Sequence, residues 1–335
     1  MTQSLRRPAR PLVFALHLAL LLSFFTPLTA HAAYNFPLTV RSNTTYDGKG
    51  ARISAKHLSR VFNVWHVRNV TIRNFIIVGD GGTRVFDMTK SSNIRIENIK
   101  IESGAGDVAH VHMSSDVTIS KLSADTIDRH LLWADNSTNV RLLDSTLTRG
   151  SIKETGVRIF DNVVGFTMER CTIRALINKK TSVRLHDGSN YVVRNCTLEG
   201  QTWAGPMGGA NGGQRLSGAA RKTELAKRTR NVLFENVAII GSFGPQAGLS
   251  GFVMRGCSIT AKPESPFFNC PYGNVTWQYP LSGSVRSGDI VRPAPTGYLE
   301  NVRIIAPGRK TLNFGTNGPL NLRNVTLNGK LIFYP

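Results

Sequence analysis

Two short segments of this 335-residue chain are built alike. Lys153-Glu-Thr-Gly-Val-Arg-Ile-Phe-Asp161 and Lys179-Lys-Thr-Ser-Val-Arg-Leu-His-Asp187 share Lys, Thr, Val, Arg and Asp at matching offsets. Their side chains suit removal of a proton beside a carboxylate. That chemistry needs a cation to neutralise the acid, a base to take the proton, and an acid near the leaving oxygen. An unperturbed arginine is a poor base. Arg158 and Arg184 are therefore assigned to the carboxylate, His186 or Lys179 to proton movement, and Lys153 to the edge of the same site. Further upstream, Asp87, His110, His112, Trp133 and Asp135 add acids, imidazoles and an aromatic face. With Phe160, Trp133 offers a flat surface for a sugar ring.

The elements that must position these groups are set by a repeat. A turn residue, often Asn or Asp, is followed by apolar residues one and three positions later and by a second Asn at five. The clearest copies are Asn69-Val-Thr-Ile-Arg-Asn74, Asn93-Ile-Arg-Ile-Glu-Asn98, Asn190-Tyr-Val-Val-Arg-Asn195, Asn231-Val-Leu-Phe-Glu-Asn236 and Pro319-Leu-Asn-Leu-Arg-Asn324. Starts fall 20 to 26 residues apart, with one 41-residue step between Asn190 and Asn231. A period of this length fits a rung of three short strands and three turns, stacked into a solenoid of about 11–12 rungs. The apolar period of two and the frequent β-branched residues exclude helical repeats. Asn at a fixed place tolerates a left-handed backbone and can bond along a stack of turns.

Alternation then orients the segment before each repeat. Phe86, Met88, Ala109, Val111, Leu132, Ala134, Val157, Ile159, Val183 and Leu185 are expected inside. Asp87 and Thr89, His110 and His112, Trp133 and Asp135, Arg158 and Phe160, and Arg184 and His186 are expected outside, on five successive rungs. The same offset assigns Leu225 with Lys227, and Pro245 with Ala247, to later rungs. It leaves Trp203 in a loop insertion at about 199–230, beside the cleft.

The Asn pattern, with Ser42-Asn-Thr-Thr-Tyr-Asp-Gly-Lys-Gly-Ala51 ahead of it, resembles the pectate-lyase-like superfamily. That resemblance, over roughly residues 38–330, implies an all-β, single-stranded right-handed parallel β-helix of three sheets, with substrate on the first sheet. Arg184-Leu-His-Asp-Gly188 is similar to the Arg-His-Gly stretch of the alginate lyase and chondroitinase B family, which implies a catalytic Lys and Arg in this sheet; here Leu185 separates Arg from His. The clustered aspartates and Gly-His-Gly of polygalacturonase-like hydrolases, and the Trp-Ile-Asp-His of many pectate lyases, are not found.

Residues 1–33 read as a secretory signal peptide. Arg6, Arg7 and Arg10 precede an apolar run from Leu12 to Phe25, and Ala30-His31-Ala32 supplies a cleavage site. The expectation is a secreted or periplasmic monomer comprising a β-helix domain over 34–335, with no transmembrane segment after cleavage. Loss of the three arginines lowers the formal net charge from +20 to +17. Such an excess points to an anionic partner, here an acidic polysaccharide rather than nucleic acid, since no nucleic-acid-binding module is recognisable.

Cys171, Cys196 and Cys257 share one register, as a disulfide or as a stack of thiols, and none is assigned to chemistry. No metal ligand is assigned. Calcium would find only Asp87 and Asp135 among acidic groups in the cleft. His110, His112 and Asp135 could bind a transition metal, but a His spacing of two on a strand does not define a ligand set. The expected reaction is β-elimination on a uronate-containing polysaccharide, the alternative a β-helix that only binds acidic glycan or serves at the cell surface.

Overall fold

In a computed structural model the chain is described over residues 34–79, 81–151, 154–175, 181–206, 228–245, 248–261, 296–307 and 321–332. The signal segment, Lys153, Lys179, Cys270 and residues 207–227 lie outside the described residues. Residues 34–335 form one unit, all-β among the described residues, where no helix is long and apolar enough to cross a membrane.

Its strands are parallel and pair one rung with the next. The expected inward positions are buried without exception. On the first face Phe62 pairs with Phe86, Phe86 with Ala109, Ala109 with Leu132, Leu132 with Val157, and Val157 with Val183. On the third face an aliphatic column passes from Ile53 through Ile77 and Ile101 to Ala124, Leu147, Ile173 and Leu198. Each rung buries its face only against its neighbours, so the core is continuous along the axis. Tyr34 and Phe36 pack over Phe62 and Phe75 at one end, and the antiparallel pair Asn321–Leu327 and Lys330–Ile332 lies at the other.

The turns carry two Asn ladders. The first residue of the repeat is left-handed at Asn69, Asn93, Asn139, Asn190 and Asn231, and so is the second at Asn74, Asn98, Asn195, Asn236, Asn301 and Asn324. Amide donates to amide along both, as in Asn93 to Asn69 at 3.0 Å and Asn98 to Asn74 at 2.7 Å. Gly251 and Gly256 stand in the two ladders with φ of 64° and 60°; a Cβ at Gly256 would sit 2.6 Å from the Asn236 side-chain oxygen. A third ladder uses hydroxyls: Ser114 Oγ accepts from the Ser91 amide, and Ser137 Oγ from the Ser114 amide. Cys171, Cys196 and Cys257 are free thiols in a fourth turn stack, with Cys196 Sγ accepting from the Cys171 amide. Burial pushes the Cys257 thiol up to about 11, which keeps it protonated.

Candidate functional site

The outward residues of the first face form two columns. In one, Asn63, Asp87, His110, Trp133, Arg158 and Arg184 are consecutive pairing partners. In the other, Trp65, Thr89, His112, Asp135 and Phe160 follow one another. Strand spacing makes the five rungs from Asp87 to Arg184 about 20 Å long.

The continuation beyond Arg184 differs from the expectation. Trp203 pairs with Arg184, and Gly244 with Trp203, so these residues extend the first column in place of Leu225, Lys227 and Pro245. The strand Thr197–Ala204 belongs to the β-helix, and the insertion begins after it rather than at 199. Counting back from Asn231 failed because the extra residues lengthen the turn after the strand, not before it. The flanking inward residues Thr202 and Ala204 were the available signal for Trp203.

His186 keeps its expected outward phase but is covered. It is 3% exposed, and its Nδ1 lies 2.6 Å from the Gly205 carbonyl as the chain leaves the next rung above it. Its carbonyl accepts from the buried Tyr191 hydroxyl. The imidazole braces the turn and is not presented to the groove.

At the N-terminal end the groups are closely matched. Asp87, 3% exposed, accepts from Arg60 Nε at 2.6 Å, from Arg84 at 3.1 Å and from Trp65 Nε1 at 3.2 Å. Its Oδ1 lies 3.2 Å from His110 Nδ1, and His110 Nε2 lies 3.2 Å from Asp135 Oδ2. Asp135 Oδ1 bonds His112 Nδ1. Burial alone would raise the Asp87 carboxyl, but the His110 bond and the Arg84 and Arg60 guanidiniums hold it far below the carboxylate range. Asp135 is likewise lowered, its two imidazole partners outweighing burial. Burial opposes a charge on His110, yet the bonds from Asp135 and Asp87 raise it. His110 thus bridges two carboxylates, one at each ring nitrogen, while the His112 side chain is 33% exposed at the surface.

One rung edge away, Asp107 binds the fully buried His130 at 2.7 Å, and Arg84, Arg60 and Arg129 line a cleft of about 200 Å³ over it. Burial lowers His130 despite Asp107. Sequence reading missed Arg60, Trp65, Arg84 and His130. The Phe62 and Val64 alternation already placed Trp65 outward one rung before the row was begun.

The other end is cationic. The Arg158 guanidinium lies 4.9 Å from the Phe160 ring centre and 5.6 Å from that of Trp133, and its buried Nε has no hydrogen-bond partner among the described residues. Arg184 is in register beside it; burial and the Arg158 charge both lower its affinity for its proton. Two half-buried guanidiniums thus stand in neighbouring rungs, that of Arg158 against two aromatic rings, an arrangement able to take an anion.

A parallel solenoid with a polar and aromatic groove along one face defines the class. The chain belongs to the right-handed β-helix family, whose model, described as "Right handed beta helix region", matches residues 30–198. Solved structures similar to it include tailspike proteins of E. coli bacteriophage HK620. A mutant in complex with hexasaccharide is 11% identical, covering 80% of this chain and 59% of that chain at a TM-score of 0.40. A double mutant is 11% identical, covering 87% and 60% at 0.43. The chain spans about three fifths of the length of these structures, and a likeness of this degree carries no argument about activity.

Proposed function

We propose that this is an exported, polysaccharide-active protein that cleaves a uronate-containing chain by β-elimination. The observation that carries the reading is the Arg158–Arg184 pair, two cations in adjacent rungs, the first lying over Trp133 and Phe160 with a buried Nε–H that has no hydrogen-bond partner among the described residues. A uronate carboxylate relieves their mutual repulsion and takes that donor, while its ring stacks on the aromatic faces. Neutralising the carboxylate acidifies the carbon beside it.

His112 replaces His186 as the proton acceptor. Asp135 meets its Nδ1, and the His112 side chain is 33% exposed. The base takes the proton, the new double bond forms, and the glycosidic oxygen leaves on the far side of it with a proton. Lys179 is assigned as that donor and Lys153 as a further carboxylate contact, both by their offset from Arg184 and Arg158. Asp87 holds His110 and, through it, Asp135, and so positions the base without meeting substrate. The positive sequence balance and the export signal support an acidic glycan met outside the cell.

The test is incubation of the protein with alginate, pectate and glycosaminoglycans while following the absorbance of new unsaturated ends. Product that disappears in Arg184→Ala supports elimination. Binding without product, weakened by Arg184→Ala, refutes it and leaves a glycan-binding β-helix.

A further inference from the structure

We infer that His110, His112 and Asp135 form a site for a divalent transition metal of the zinc class. One ligand atom from each lies within 4.8 Å of the other two. Ligands on one tetrahedral zinc at about 2.0 Å stand ~3.3 Å apart, and His110 Nε2 to Asp135 Oδ2 is already 3.2 Å. His112 Nδ1 reaches the other oxygen of the same carboxylate. The three groups come from adjacent rungs, His110 and His112 on the strand Ala105–His112 and Asp135 opposite His112, so the backbone register fixes their separation.

The surroundings are those of a metal centre rather than of an isolated cluster. A histidine that ligates through one nitrogen almost always gives its other N–H to a carboxylate, which fixes ring and tautomer. His110 does so: its Nδ1 meets Asp87, and Asp87 is in turn held by Arg60, Arg84 and Trp65. Nε2 is thereby the nitrogen turned to the site. Three protein ligands with a fourth side open is the arrangement of zinc centres that work on a ligand, and here the open side follows the exposed edge of His112, 33% against 12% for His110 and 9% for Asp135. Two imidazoles with one carboxylate select zinc, cobalt, nickel or copper over calcium or magnesium, which prefer oxygen alone.

This inference stands on side-chain geometry and does not depend on the glycan reading. It does set a condition on it: metal on Nδ1 moves the His112 proton to Nε2, so the loaded ring has no lone pair to act as base.

The experiment uses the untagged chain, stripped with chelator and titrated with zinc alone against a chromogenic indicator, with cobalt absorption reporting the geometry. The expected result is a single zinc per chain and a tetrahedral cobalt spectrum. His112→Ala and Asp135→Asn should each weaken binding by at least about 100-fold, and Asp87→Asn by about 10–100-fold. Arg184→Ala should bind zinc as the parent does while losing glycan, which separates failure of one reading from failure of the other. Thermal unfolding checks each variant, and His110→Gln, close in size, stands in for any that does not fold. Zinc binding weaker than about 1 mM, or binding indifferent to these ligand changes, overturns the assignment.

Discussion

Between Asp87 and Asp135 the groove pairs its groups within the fold: Arg60 and Arg84 close on Asp87, and His110 bridges Asp87 and Asp135. Two rungs further on, Arg158 and Arg184 stand side by side, and burial with like charge weakens the hold of Arg184 on its proton. One half is therefore ion-paired within the fold; in the other, two guanidiniums repel each other, with Glu154 as the opposing charge on Arg184. The difference teaches where to expect structure and where to expect binding. Losing Asp87 should cost stability, and losing Arg184 should cost ligand.

Asp87→Ala tests that contrast most severely. It strands His110, Arg60 and Arg84, and because Arg60 is 39% exposed the loss should fall near the lower end of the range for a broken buried pair, about 3 kcal/mol in denaturant unfolding. Arg184→Ala should leave the unfolding midpoint within about 0.5 kcal/mol of the parent yet lower kcat/KM on uronan by roughly 100-fold or more. Equal effects of the two substitutions on stability would erase the distinction between the halves. Asn98→Ala, on the turn face away from the groove, should cost about 1–2 kcal/mol from left-handed strain and the lost ladder bond, and Asn98→Gly less.

Acid should act more gently, through the Asp107–His130 pair. His130 is lowered in the fold, so below the usual histidine value near 6.5 the unfolded chain takes up a proton that the folded chain resists, and stability falls with pH. Asp107 is also lowered, so its contribution is present above about 3.8 and disappears as pH drops through its folded value. Both signs agree. His110, raised in the fold, works the other way between pH 7 and pH 5, so the check is a difference: relative to a His130→Asn variant, the parent should lose unfolding temperature over that range, and both should decline below pH 4.

The solenoid was legible because its information is periodic. Every rung repeats the same apolar alternation, and Asn at the two left-handed positions marks the frame, so five outward pairs could be written down from Asp87 and Thr89 to Arg184 and its neighbour. What was not legible is what breaks the period. The insertion after Ala204 moved the count off Trp203, and only pairing with Arg184 restores it. His186 keeps the right phase, but a chain segment from the next rung covers it, and no one-rung pattern encodes that cover. The Arg60, Arg84 and Asp87 cluster was hidden for another reason: its members come from two strands, and sequence distance does not show that Arg60 reaches across to the next rung.

The left-handed turns have a consequence for how this protein can change. Because a ladder Asn bonds the Asn or Asp one rung below it, phase is handed from rung to rung as in a one-dimensional crystal. An insertion within a strand would turn the lining of that rung inside out, whereas an insertion in a turn leaves both neighbours in step, as the 41-residue interval after Asn190 shows. Chemistry on the groove can therefore be edited one rung at a time, with His110, Trp133, Arg158 and Arg184 acting as separate letters in a line whose spacing the backbone keeps.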